Sequence, residues 1–328
     1  MTERQFSIRG GRKLTKAAIY AGVIIILLLL PLFIESPYLI HIFILTLIYI
    51  IATSSLRTVA ISGQISLGHA AFMSIGAYTA GVVAKQLGWT PWVTIPLGGL
   101  ATMAIGILIG YPFSRLRAIY FAMVSLFFGI GILAVNSVFE RWTGGFSGLI
   151  GIPPLFGASK VPYYYFFLAL AVLSLLALYR FEFCRIGTTL KAIAQSHLVA
   201  SSVGINEAGH RVLALAVGCF FVGIAGAGYA HYNLVLSHST FDLLASINLL
   251  VYMLVGGIGS FAGPIIGTAV LIIFPELFRG LKEFVPYIFA SIMLIVIFVM
   301  PQGLAGLPEQ VKSWGTKLRE GKAVTRAS

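Results

Sequence analysis

The run Ile61-Ser62-Gly63-Gln64-Ile65-Ser66-Leu67-Gly68-His69-Ala70-Ala71-Phe72 decides the fold class. It is polar and glycine-rich, and it sits between two long apolar runs. In hydrocarbon every backbone N–H and C=O must be satisfied internally, so such a break is tolerated only where protein or a water-filled path surrounds it. The run therefore points to transport rather than to anchoring. Gly63 and Gly68 let the backbone turn and approach closely. Gln64, Ser66 and His69 bring donors and acceptors that either line a path or satisfy unwound backbone. For His69 alone, a satisfied interior histidine is the plainer reading.

Composition agrees. The chain has 328 residues, 59% hydrophobic and 10% charged, with a mean hydropathy of +0.97. Soluble domains carry about 25% charged residues, so this is a polytopic membrane protein. The net charge of +12 does not point to nucleic acid. The basic residues cluster at the tails and between apolar runs, as expected for positive-inside loops and contact with anionic lipid. Cys184 and Cys219 lack metal or CxxC spacing and read as free thiols. The first apolar run follows a basic tail, is long enough to span and lacks a small-residue cleavage site. It reads as a retained first helix rather than a signal peptide.

A crossing needs about 20 apolar residues. About ten candidate spans lie near residues 17–34, 38–58, 70–87, 92–112, 118–138, 162–179, 211–233, 243–258, 264–278 and 284–300. With the N-terminus inside, only Lys85, Arg141, Lys160, Arg279 and Lys282 fall outside, and every other lysine and arginine falls inside. This asymmetry predicts an even number of crossings with both ends cytoplasmic. The expectation is an all-α, polytopic helix bundle with broken helices. A single transmembrane domain, 17–306, includes a cytoplasmic segment at 181–210 and is flanked by basic tails at 1–16 and 307–328.

The eighth and ninth spans are short and interrupted by glycine and proline, which allows a re-entrant pair. The intervening run Gly256-Gly257-Ile258-Gly259-Ser260-Phe261-Ala262-Gly263-Pro264 echoes the first break. Gly257 and Gly259 are then further candidates for the path, as in transporters with repeated halves. Close helix packing through small residues explains the run nearly as well.

The absences narrow the chemistry. There is no GxxxxGK[ST] phosphate loop and no HExxH motif, so no cofactor is expected in this chain. The 10 acidic residues fall almost entirely at span ends or in loops, with Glu276 the least certain, which argues against a carboxylate proton relay. No nucleophile–base pair or paired carboxylates suggest an intramembrane enzyme. Such a pore is either passive or takes its energy from a partner.

Two segments between spans stand out. In the outer one, Thr143, Gly144, Gly145 and Gly148 form a loop that closes over a vestibule, presents backbone donors to a carboxylate, or is an ordinary turn. In the inner one, residues 188–203 contain no glycine or proline and are predicted as one helix. Lys191, Gln195 and Ser202 then share a face, with Leu190 and Ile193 pointing elsewhere, and Gly204 suits a C-cap. Such an amphipathic helix either docks in a groove of a partner or lies flat on the membrane; the residues alone admit both.

At these residues the chain resembles the permease subunits of bacterial ABC importers for branched-chain amino acids, the LivM-like type. The likeness spans residues 38–306. It is carried by Gly63–Phe72 with Gly76-Ala77-Tyr78, by Thr143-Gly144-Gly145 with Gly148, and by Gly256–Ser260 with Gly263-Pro264. Residues Gly187 to Ile205 occupy the family's coupling-helix position, with Lys191, Ala192 and Gln195 inside it, Ala200 beyond and Gly204-Ile205 at its end. The resemblance implies a bacterial inner-membrane machine. It would contain a second, related permease, two cytoplasmic ATPases that bind ATP and Mg, and a periplasmic solute-binding protein. It also implies that the inner helix docks on an ATPase. Related permeases carry urea, short amides or other amino acids. Two departures stand out: Ala194-Gln195-Ser196-His197, where relatives carry charged or amide residues, implies an atypical ATPase contact, and bulky Phe146 replaces a small or polar residue.

Overall fold

The computed structural model describes residues 26–33, 36–116, 118–157, 159–278, 280, 287, 290–291, 293–294, 298 and 303–306. Along them run α1 (Pro37–Ala60), α2 (His69–Leu87), α3 (Pro91–Phe113), α4 (Ala118–Val138), α5 (Glu140–Thr143), α6 (Lys160–Phe183), α7 (Arg185–Gln195), α8 (His197–Ser202), α9 (Glu207–Asn233), α10 (Leu243–Gly256) and α11 (Gly263–Leu277). Residues 26–33 are also helical. Proline in the first turn of α1, α3 and α11 marks their starts, where its missing N–H costs nothing and its fixed φ suits the helix.

Among the described residues, six helical stretches are long and apolar enough to cross a membrane: Pro37–Ala60, Pro91–Phe113, Ile119–Val138, Lys160–Phe183, Glu207–Asn233 and His238–Gly256. They coincide with six of the expected spans. The span expected at 70–87 is α2, which is helical over 19 residues but not among the six. Its Ser74, Gly76 and Tyr78 are buried against protein, so it does not need a lipid-facing composition. The span expected at 264–278 is α11, a shorter apolar helix. Both tails, most of the first expected span and most of the tenth lie outside the described residues.

Small residues set the packing. A β-carbon on Gly76 of α2 would lie 2.3 Å from the carbonyl oxygen of Gly223 on α9, and one on Gly106 of α3 would lie 2.6 Å from Cys219 Sγ. Helices α2, α3 and α9 thus approach through their backbones, as membrane helices do when van der Waals contact replaces the hydrophobic effect. Helix α1 packs on α9 and α6 and buries Ile44, Ile48, Ile51 and Leu56 completely.

Buried polar groups add cross-links. Asn136 Nδ2 donates to Ser74 Oγ at 2.7 Å, tying α4 to α2. His231 Nδ1 lies 2.8 Å from the Pro153 carbonyl, which can only accept. In the neutral ring Nε2 is then the acceptor for Thr94 Oγ1, 2.7 Å away.

The two ends of the bundle differ. One end carries the C-terminal ends of α1, α3 and α6, together with α7, α8 and the α10–α11 turn. At the other, β1 (Leu149–Ile150) pairs antiparallel with β2 (Val235–Leu236), Leu149 opposite Leu236. This two-stranded ribbon was not anticipated: each strand is two residues long, too short for an alternation to show.

Helices α10 and α11 form a hairpin. A β-carbon on Gly256 would fall 1.9 Å from the Gly263 carbonyl oxygen, and one on Gly267 would fall 2.1 Å from that of Tyr252. Helix α11 holds 15 residues, about 23 Å at 1.5 Å per residue, short of the roughly 30 Å hydrocarbon core, whereas α10 is extended by the turn His238–Phe241 into the 19-residue stretch His238–Gly256.

Candidate coupling and translocation site

The first break begins where α1 ends in a tight turn. Gly63 N donates to the Ala60 carbonyl at 3.0 Å, and Gly63 takes φ +81°, a backbone region L side chains rarely adopt. The chain beyond it is held by side chains from two helices, α4 and α10, and by its own Gln64. Gln64 Nε2 donates to the Leu116 carbonyl at 3.2 Å. Leu67 N donates to Ser125 Oγ at 3.0 Å, and Ala70 N to Ser246 Oγ at 3.1 Å. From Ser66 to Ala70 the break is thus covered by protein, one of the two conditions hydrocarbon allows, while Gly63 and Ile65 are exposed.

Of the expected path residues, Gln64, Ser66, Gly68 and His69 are all buried. His69 Nε2 lies 2.9 Å from Ser55 Oγ. Because that hydroxyl donates to the Ala52 carbonyl at 2.6 Å, the proton between them sits on Nε2. Its Nδ1 and Ser66 Oγ have no hydrogen-bond partner among the described residues. A cavity of about 20 Å³ adjoins the break, with Leu67, Gly129, Asp242 and Ser246 in its wall. That is room for one water and not for an amino acid.

At the second break Gly257 takes φ +102° and packs on Gly303, whose added β-carbon would lie 2.4 Å from the Gly257 α-carbon. Gly259 faces open space.

At the ribbon end, Thr143 Oγ1 contacts the Asn136 and Phe139 carbonyls at 2.6 and 2.8 Å and accepts from Gly145 N at 3.2 Å. A β-carbon on Gly144 would strike the Gly148 carbonyl oxygen at 2.1 Å, and one on Gly148 would reach that of Leu236 at 2.5 Å. These four residues fold the loop onto β2. Phe146 is tolerated because it points outward, 71% exposed, with its ring edge-on to His238.

The inner segment differs from its expected form. It is two helices, α7 and α8, broken at Ser196, which is extended (φ −157°, ψ 106°) and whose hydroxyl accepts from Val199 N. Serine competes for local backbone donors and so favours caps over helix interiors. The break removes the shared face expected for Lys191, Gln195 and Ser202, since Ser202 belongs to the second helix. Leu190 and Ile193, expected only to point away from that face, are buried, Leu190 against Ile61 and Ala214. Ala192 and Gln195 are exposed. Gly187 lets α7 fold back on α6: a β-carbon there would sit 2.0 Å from the Glu182 carbonyl oxygen. Gly204 ends α8 at φ +81°, and Ile205 N bonds the Ala200 carbonyl at 3.1 Å, the six-to-one bond of a Schellman cap. Segment and first break touch: a β-carbon on Gly63 would lie 3.4 Å from the Ala194 α-carbon.

Sequence reasoning missed the charges beneath this segment. Arg57 of α1 and Glu182 of α6 form a buried, two-pronged ion pair, and Lys191 Nζ lies 2.8 Å from Glu182 Oε1. Arg57 Nε also donates to the Ile258 carbonyl at 2.8 Å. The available signal was an arginine and a glutamate at the edges of apolar runs, where hydrocarbon demands a partner.

Long apolar helices, glycine-mediated packing and a protein-covered helix break define a multi-pass α-helical membrane transporter subunit. The family described as the permease component of branched-chain amino acid transport systems matches residues 38–301, and the chain belongs to it. It is 30% identical over 291 residues to the Escherichia coli K12 protein named high-affinity branched-chain amino acid transport system permease protein LivM, covering 79% of this chain and 68% of that one. The Salmonella typhimurium LivM is 29% identical over 310 residues, 85% and 72% of the two chains. The Salmonella typhimurium permease protein LivH is 25% identical over 287 residues, 80% and 92%. No solved structure gives a significant match.

Proposed function

We propose that the chain is one permease subunit of an ATP-binding-cassette importer in the bacterial inner membrane, and that it moves leucine, isoleucine or valine inward. The observation that carries this reading is the docked α7–α8 segment, joined to the membrane bundle in a chain of this family. Leu190 and Ile193 anchor α7, while α8 turns Leu198 and Val199 outward, 69% and 63% exposed. An exposed apolar face on a short helix beside exposed Gln195 suits a groove in a partner ATPase, the subunit that would bind ATP and Mg. The break at Ser196 gives that contact its atypical shape.

The basic residues support the orientation. Arg57, Arg115, Arg180, Arg185 and Lys191 lie at the α7–α8 end, which we assign to the cytoplasm. With about ten crossings, both termini share that side. The ribbon end, with Thr143, Gly144, Gly145 and Gly148, then faces the periplasmic solute-binding protein. Likeness to both LivM and LivH supports pairing with a second, related permease. The solute path would run between the two, with Gly63, Gln64, Ser66, Gly68, His69, Gly257 and Gly259 shaping its wall and holding its broken helices. The buried state of Gln64, Ser66 and His69 fits a closed path.

The test is uptake of radiolabelled leucine into liposomes holding this chain, the second permease, the ATPases and the binding protein. Uptake that needs ATP and the binding protein, with competition by isoleucine and valine, is expected. Uptake without ATP would overturn the importer reading in favour of a passive path. ATP-driven uptake of urea or an amide, and not of leucine, would change the cargo alone.

A further inference from the structure

We propose that Arg57 and Glu182 form a charge-held link that carries motion of α7 to the α10–α11 turn, so that the second glycine break moves with the coupling segment. The proposal rests on the importer reading above and names the residues that would transmit its motion. Four elements meet here. Arg57 comes from α1, Glu182 from α6, Lys191 from α7, and Ile258 with Phe261 from the turn.

Arg57 uses all sides of its guanidinium. Its two terminal nitrogens grip the Glu182 carboxylate, Nη2 to Oε1 at 3.0 Å. Its Nε donates to the Ile258 carbonyl at 2.8 Å, and its face lies 5.8 Å from the centre of the Phe261 ring. The carbonyl follows Gly257, whose positive φ fixes the shape of the turn. The carboxylate is shared as well: Oε1 also meets Lys191 Nζ at 2.8 Å. Arg57 and Glu182 side chains are 4% and 5% exposed, that of Lys191 is 40%. The path therefore runs from a residue open to the cytoplasmic face, through a buried carboxylate and a buried guanidinium, to a backbone oxygen beside Gly257.

A pair that merely held α1 to α6 would not need this form. Apolar residues of similar volume hold buried faces as well or better. Such a pair also has no use for a third donor aimed at another element. Planar, multi-edged arginine is suited to bind several groups in one fixed geometry. Lys191, read from sequence as an ATPase contact, is turned inward to Glu182 and acts through it.

The test uses the complete complex in liposomes, with leucine uptake and ATP hydrolysis measured in the same vesicles. Arg57→Lys keeps the charge beside Glu182 but cannot reach Ile258 with the same fork. The complex is expected to assemble and hydrolyse ATP, while leucine moved per ATP falls about tenfold, a common size for coupling between sites. The double exchange Arg57→Glu with Glu182→Arg restores an ion pair, yet sets an acceptor against the Ile258 carbonyl and a cation against Lys191. The same loss of leucine per ATP is expected. A wild-type ratio in either variant overturns the link. Should neither assemble, Lys191→Met at the surface decides: a lowered ratio supports the link and a wild-type ratio overturns it. A wild-type complex with no ATP-driven uptake would instead sink the importer reading, which that arm shows by itself.

Discussion

A β-carbon on Gly68 would fall 1.9 Å from the carbonyl oxygen of Ser125, so the first helix break and α4 meet backbone to backbone. Ser125 also accepts from Leu67 N through its hydroxyl. The residue before α2 is therefore clamped to α4 from two sides, and α4 cannot shift without taking the break with it.

Gly68→Ala forces these backbones apart. Overpacking of this kind costs about 1–3 kcal/mol, little enough for the chain to insert. The expected outcome is a normal amount of protein in the membrane with leucine uptake reduced at least severalfold, checked by quantified membrane fractions and vesicle uptake. Wild-type uptake would mean that the close contact is dispensable for transport.

Leu198→Glu and Val199→Glu alter exposed side chains of α8 that make no part of the core. Surface changes of this sort usually stay within about 0.5 kcal/mol, so the permease should purify with an unchanged melting temperature. Co-purification of the ATPases should fall by about tenfold, as when a central apolar anchor is lost at about 1.4 kcal/mol. Intact co-purification would move the docking contact elsewhere.

Gly148→Ala acts at the opposite end. Gly148 has φ +80°, and a β-carbon would press on the Leu236 carbonyl, so the β1–β2 ribbon should loosen. With ψ 164° the residue lies in a region essentially confined to glycine, which costs an L residue on the order of 1–3 kcal/mol. Stimulation of ATP hydrolysis by the binding protein is expected to drop, with ATPase co-purification unchanged. Loss of both would show that the ribbon supports the whole fold rather than its own end of the bundle.

Thr94→Val removes the donor to His231 Nε2 while keeping the shape of the side chain. A buried acceptor left unpaired costs about 1–3 kcal/mol. The melting temperature of the purified protein should fall by several degrees, and Thr94→Ser, which keeps the hydroxyl, should recover most of it. Equal melting temperatures for the valine and serine variants would remove this bond from the account of stability.

Much of this was legible from local pattern. Hydropathy placed eight of the helices, because the cost of exposing peptide groups to lipid is met within each helix. The break at Gly63–Gly68 and the cap at Gly204 were also readable, since each depends on residues within one or two turns. The continuous helix over 188–203 was not upheld. Its sequence lacks glycine and proline, but Ser196 found a better local bond as a cap than as a helix interior residue.

What the sequence determined by itself, then, was the kind of molecule: a polytopic helical membrane protein with a glycine-rich break and a polar segment between spans. Composition and short-range spacing suffice for that. Only the tertiary structure decided which distant groups meet. Arg57 and Glu182 are separated by 125 positions, β1 meets β2 across α6 to α9, and Gln64, Ser66 and His69 turn into the bundle rather than onto an open path. Partners of this kind are chosen by how helices pack through their small residues. No local propensity encodes that choice, because the energy of each contact exists only once both backbones are in place.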